Sequence, residues 1–391
     1  MDHCIKNMIE MGNDQQMNNK TVQYEMHEIN ERFLCEDLDE IQELSAEYNQ
    51  GISEKAKKLL EEAVIIDACA SNLEDYGWRM QSSGLTALNC MVPEPKDMAG
   101  ETVRKMMNYY QTIQEQEKYI LARTADDILT AKKNNKIAVI LGSQGCAFLL
   151  HFSFEAAVEL FSTIGLRIMQ LANDRRTFAA DGCMTGTDAG LNVDGKRVIA
   201  AMEKYSITVD LSQVGRRSTF DIMSICKKPP IFSHSNPAGL FTHPRNISDE
   251  QAKKCAELGG VVGVSAAPST LWDGEHFPTI DTFIRCIDYY VNLIGIDHVG
   301  IGLDSTATAG AFGHRENAYL QRLKGTPDEK SMEYLSWKAG RGLKGAFTDG
   351  IESLANFPNI ADKILKHGYS ESDAKKILGE NWLRVFKDTW N

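Results

Sequence analysis

The sequence contains no CxxC pair, no run of eighteen apolar residues and no basic patch. Its nine cysteines, at 4, 35, 69, 90, 146, 183, 226, 255 and 286, are odd in number and scattered. That argues against a disulfide framework and for reduced thiols, as expected of a cytoplasmic protein. Without a long apolar run, no membrane-spanning helix is expected. Met1–Thr21 carries scattered charges and no apolar centre, which is not the pattern of a secretory signal. A formal net charge of −12 with no basic patch speaks against nucleic acid and anionic membranes as partners. A glycine-rich phosphate loop after the first strand is also missing. Gly142–Cys146 (GSQGC) is too short for one and follows the wrong strand.

What remains is ordinary globular material: 391 residues, 43% hydrophobic and 25% charged. Residues 1–60 read as a polar, partly helical N-terminal extension. Apolar positions between Tyr24 and Leu44 could line one side of a helix, and Ser53–Ala63 looks like a short helix. From residue 61 to 391, short apolar runs exchange with helical stretches, the sign of βα units. Strands are expected near 64, 85, 138, 168, 208, 231, 262 and 300. A long helix is expected over Glu101–Thr130, and two closing helices near the C-terminus. Eight strands favour a (β/α)8 TIM barrel over an open doubly wound sheet.

In such a barrel, residues just past each strand meet in one pocket. Here they are Asp67, Cys69, Ser71, Gln144, Asn173, Asp174, Arg175, Arg176, Asp210, Gln213, His234, Asn236 and Asp304. The set holds one histidine and few carboxylates, which is poor material for two metal ions. His234, in SHSN, reads as a metal ligand or acid/base, or as a histidine that orders its loop. Asp304, in GIGLDS, is a rim carboxylate that needs a partner or a proton if buried, with a loop cap as the plainer role. Cys69 could be a nucleophile, a soft metal ligand or inert core. Gln144 and Gln213 cannot hold a charged metal well but can orient an amide or carboxylate. Arg245 precedes a helix that Asn246 or Ser248 would cap; it could clamp a carboxylate or sit in a surface ion pair. Arg175 and Arg176 offer a second positive pair, one of them for an anionic group.

Several stretches together carry a resemblance: IIDACAS (65–71), VDLSQVG (209–215), IFSHSNPAGLFTHPRNISDEQ (231–251), GGVVGV (259–264), DHVGIGLDS (297–305) and the run from 356 to 386. Over roughly residues 60–388 the chain resembles the membrane (renal) dipeptidase family, peptidase family M19, of the amidohydrolase superfamily. The resemblance implies a (β/α)8 barrel with, usually, two zinc ions that hydrolyse dipeptides. It also implies that Cys69 and Ser71 stand where the family's first-strand His and Asp supply ligands. Gln144 stands for a bridging Glu, Gln213 for a His and Asn173 for another His. His234, Asp304 and the carboxylate-binding Arg245 are kept.

Three readings follow. The first is a metal-independent enzyme acting on a small peptide-like or amino-acid-derived carboxylate by proton transfer: isomerisation, tautomerisation or elimination. Asp304 and His234 would be catalytic, with Cys69 as an alternative nucleophile. Arg245, Gln144, Gln213, Asn173, Arg175 and Ser71 would bind the substrate, and no cofactor is expected. The second is a hydrolase with a single zinc or iron held by Cys69, His234 and Asp304. The third is a non-catalytic member that binds a small peptide or another protein. A homodimer is the family's common state and carries over as an expectation.

Overall fold

The computed structural model describes residues 42–70, 73, 80, 82–304 and 347–390. Among these residues nine strands form one sheet: β1 (Ile66–Ala70), β2 (Ala87–Met91), β3 (Tyr119–Leu121), β4 (Ile137–Ser143), β5 (Leu166–Gln170), β6 (Thr208–Asp210), β7 (Ile231–Phe232), β8 (Val261–Val264) and β9 (Val299–Ile301). Eight run in the order β1-β2-β4-β5-β6-β7-β8-β9, each parallel to its neighbour. The ends of the path meet. The Asp304 amide donates to the Cys69 carbonyl at 3.0 Å, and the Leu303 amide donates to Asp67 Oδ1 at 2.9 Å. The result is a nearly closed parallel barrel with helices around it, as the strand pattern implied.

One expected element is corrected. Glu101–Thr130 is not a single helix. A helix over Ala99–Glu115 gives way to β3, which pairs with β4 outside the main path, and a second helix spans Ala125–Lys133. The reason is local. The chain turns extended at Gln116, and Thr124 begins a new helix through a capping box with Asp127. The apolar Tyr119-Ile120-Leu121 left between stop and start pairs as a strand. The helix expected within Tyr24–Leu44 falls almost wholly outside the described residues.

Side-chain alternation builds the barrel in layers. One buried cluster joins Ala87, Ala138, Ile140, Ile168, Ile231 and Val261 to Trp382, Phe386 and Trp390 of the C-terminal helix Asn381–Thr389 and its cap. Phe386 and Trp390 stack at 4.3 Å, and Trp382 Nε1 donates to the Ile301 carbonyl at 3.1 Å. Two residues further along the strands the chain turns small or polar: Asn89, Gly142, Gln170, Asp210, Ser233, Gly263 and Gly302. Gly302 is required there. A Cβ on it would lie 1.9 Å from the Ser233 carbonyl oxygen.

Segment 42–62 packs against the far end of the chain. Ser53 caps the helix Glu54–Glu62, and its hydroxyl also donates to Asp362 Oδ1 at 2.6 Å. Ser45 and Ser353 hydroxyls lie 3.0 Å apart, and Asn49 Nδ2 donates to the Ala355 carbonyl at 2.7 Å. No helix among the described residues is long and apolar enough to cross a membrane.

Candidate active site

Six side chains from six strand ends form a closed ring of polar contacts. Cys69 Sγ donates to Asp304 Oδ1 at 3.7 Å. Arg245 Nη2 donates to Asp304 Oδ2 at 2.8 Å. The Gln213 carboxamide lies between Arg245 and Asn173, and its oxygen serves one of them at a time: it accepts from Asn173 Nδ2, or, turned over, from Arg245 Nη2 and Nε. Asn173 and Gln213 are in direct hydrogen-bond contact. Asn173 Nδ2 also donates to Gln144 Oε1 at 3.1 Å, and Gln144 Nε2 donates back to Cys69 Sγ at 3.8 Å. Cys69, Gln144, Gln213 and Asp304 are buried, Arg245 is nearly so, and Asn173 is half-buried.

His234 completes the group. One imidazole nitrogen, Cys69 Sγ and an Asp304 oxygen lie within 4.8 Å of one another. The orientation of the ring is set from behind. Asp210 accepts four hydrogen bonds, from the Ser212 and Ser233 amides at 3.0 Å each, from Gln170 Nε2 at 3.0 Å and from Ser233 Oγ at 2.5 Å. With its one proton given to Asp210, the Ser233 hydroxyl accepts from His234 Nδ1 at 2.7 Å. That fixes the proton on Nδ1 and leaves Nε2 with a lone pair. Asp210 thus orients the neighbouring imidazole through Ser233. Ser233 is the first residue of the SHSN motif, directly before His234. Its signal was a hydroxyl beside a strand-end histidine.

Backbone conformation supports the arrangement. Asp174, Gln213 and Asp304 all adopt positive φ, at 55°, 64° and 53°. Non-glycine residues rarely do, and such positions gather where function constrains the chain. Gly182 packs so close that a Cβ would meet the Asp174 carbonyl carbon at 2.2 Å, which clamps the loop after β5.

The electrostatics centre on Arg245. Burial alone would lower the affinity of its guanidinium for its proton. Asp304 and then Asp174 outweigh that and hold it charged, above its ordinary value. Asp67, at the root of β1, is fully buried. Burial raises its carboxyl to about 7; the Leu303 and Cys69 amides oppose the shift, and Asp304 adds to it. The helix after Arg245, Asp249–Glu257, is capped by Ser248, not Asn246, through a capping box with Gln251.

Arg175 stands apart. It is exposed and outside the buried ring, and its side chain makes no ion pair with a described residue. Its neighbour Arg176 is committed to Asp181, with Nη2 donating to Oδ2 at 2.9 Å and to the Thr187 carbonyl at 3.0 Å. Asn236 serves the scaffold, bonding Ser265 and Thr270. Ser71 lies outside the described residues.

The comparisons with known proteins agree with this architecture. The sequence model of the family described as Membrane dipeptidase (Peptidase family M19) matches residues 38–318. Dipeptidase tcpJ of Claviceps purpurea is 24% identical over 270 residues, covering 68% of this chain and 55% of the relative. An uncharacterized dipeptidase, C965.12 of Schizosaccharomyces pombe, is 29% identical over 274 residues, covering 68% and 56%. The chain thus spans about half the length of these curated relatives. Among solved structures, an amidohydrolase from Pseudomonas aeruginosa has a TM-score of 0.74 at 30% identity, covering 86% of this chain and 99% of that one. A metallo peptidase from Rhodobacter sphaeroides, liganded with a phosphinate mimic of the dipeptide L-Ala-D-Ala, has a TM-score of 0.66 at 19% identity, covering 84% and 100%. That second likeness speaks for the fold alone.

Proposed function

The chain belongs to the membrane dipeptidase family, peptidase family M19, and we infer that it is a divergent, dipeptidase-like enzyme. Its substrate is a small peptide-like or amino-acid-derived carboxylate, and it works without the family's usual two-zinc centre. The observation that carries this is the ring itself. Three neutral carboxamides, Gln144, Asn173 and Gln213, stand where the resemblance puts a bridging carboxylate and two imidazoles. Amides supply no charge to hold two dications together, and Asp304, the one carboxylate in the ring, is paired with Arg245. The donor set does not fit a pair of zinc ions.

The chemistry that suits the remaining groups is proton transfer. His234 presents Nε2 as a base, its tautomer held by Ser233 and Asp210. It takes a proton from an acidic position of the substrate and returns it to another atom, which is an isomerisation or tautomerisation with no net change in protons. Asp304 stands beside the imidazole and stabilises it while charged. Gln144 and Gln213 offer amide groups to substrate oxygens, and Arg245 anchors the carboxylate.

A second reading has a specific observation in its favour. Cys69, His234 and Asp304 lie close enough together to hold one soft metal ion. When bound, such an ion would supply Lewis-acid activation of a carbonyl or of water. The Gln144 amide on Cys69 and the Ser233 hydroxyl on His234 are the kind of outer contacts that orient ligands.

The test is a turnover screen of dipeptides and their cyclised or oxidised derivatives. Turnover that disappears in both Asp304→Asn and His234→Ala supports the proton-transfer site. Turnover unaffected by both changes removes those two residues from the chemistry.

A further inference from the structure

Arg245 is already satisfied. Its guanidinium is bonded to Asp304 at 2.8 Å, faces the charge of Asp174 and meets the Gln213 amide. Asp304, the carboxylate beside His234, is held by the same bond and is 3% exposed. A substrate carboxylate arriving at Arg245 would be the third negative group around one buried cation. That arrangement is uncompensated in a water-poor site. One carboxylate must give way, and Asp304, the one bonded directly to the guanidinium, has a second contact to move to, Cys69 on its Oδ1 side, with His234 nearby.

We propose that the Arg245–Asp304 ion pair is a self-inhibiting contact that the carboxylate of the substrate opens by exchange. The incoming carboxylate takes Arg245, and Asp304 is released toward Cys69, His234 and the reacting part of the substrate. The carboxylate is then an activator as well as a handle. Substrates without it, such as amides and esters of the same skeleton, lose kcat and not only affinity. This rests on the reading above that Arg245 anchors the carboxylate.

Calorimetric titration with glycylglycine, and with glycylglycinamide as the probe lacking a carboxylate, tests both layers. In Asp304→Asn the competitor is neutral, so glycylglycine should bind at least about tenfold tighter than to the unmodified protein, while glycylglycinamide changes less than about twofold. Arg245→Gln should lose the preference for glycylglycine. If Asp304→Asn binds glycylglycine no more tightly while Arg245→Gln abolishes the preference, Arg245 is the anchor but Asp304 is no competitor, and the exchange is overturned alone. If Arg245→Gln keeps the preference, or if no form of the protein binds glycylglycine, the anchor reading falls and the exchange with it. Arg245→Gln leaves Asp304 buried without its cation and risks unfolding. The double variant Arg245→Gln/Asp304→Asn removes both charges; it should be the more stable in urea and should also lack the preference. A double variant no more stable than Arg245→Gln would mean that the pair is not a coupled contact, and would also overturn the exchange.

Discussion

Ser233→Ala removes one hydroxyl and changes little in volume. That hydroxyl makes two short bonds, 2.5 Å to Asp210 and 2.7 Å to His234 Nδ1. Asp210 keeps its other three donors, so the carboxylate stays held. The imidazole does not keep its partner. His234 is 2% exposed, and an Nδ1–H left unpaired in such a place costs about 1–3 kcal/mol. The proton then gains nothing from staying on Nδ1 and redistributes toward Nε2, which is the lone pair the site depends on. Loss of an outer partner of this kind typically costs about 10–100-fold in the function of the group it orients. Urea denaturation gives the stability change, and nitrogen-15 NMR of labelled histidine gives the tautomer. The unmodified protein should show a proton on His234 Nδ1, and the variant a mixture or the Nε2–H form. An unchanged tautomer, with stability within about 0.5 kcal/mol of the original, would refute the reasoning.

Two buried groups should give opposing pH dependences of stability. Asp67 is raised to about 7, chiefly by burial, so its contribution is full below about pH 4 and lost as pH rises toward 7. His243 is lowered to about 3, by burial and then by Arg245, so its contribution is full above about pH 6.5 and lost as pH falls toward 3. Asp67→Asn should therefore steepen the loss of stability in acid, and His243→Gln should make the protein less stable near neutrality than in mild acid. Urea midpoints at about pH 5 and pH 7 check both, and equal midpoints in all three proteins would count against the shifts. Gly302→Ala should cost more than about 4 kcal/mol or prevent soluble folding, because its Cβ meets the backbone of Ser233 and not a yielding side chain. A normal melting temperature for that variant would mean that β7 and β9 are not in such close contact.

The barrel was legible because its evidence is local. Each strand is a short apolar run ending in small or polar residues, and each helix carries its own stop and start. The one misplaced stretch, Glu101–Thr130, shows the limit. Its internal break depends on Thr124 and Asp127 forming a cap, and Tyr119–Leu121 is too short for any periodicity to appear. The ring of side chains was legible as a list but not as a ring. Nothing in the spacing of Cys69, Gln144, Asn173, Gln213, Arg245 and Asp304 says which will touch. Arg245 and Asp304 are 59 positions apart, and the resemblance assigns one to the substrate, while the fold pairs them with each other. Ser233 was overlooked because hydroxyls beside strand ends are common. Its role appears only when Asp210 from the neighbouring strand comes to 2.5 Å. Arg175 and Arg176 were equivalent in sequence and are told apart by Asp181, which engages one and leaves the other exposed.

The proposed function requires that this member of the family carry no two-metal centre. Metal analysis of protein purified without chelator, then equilibrated with zinc and freed of excess, tests it most directly. No more than one ion per chain is expected, and that one lost in Cys69→Ser. Two ions per chain, retained in Cys69→Ser, would contradict it.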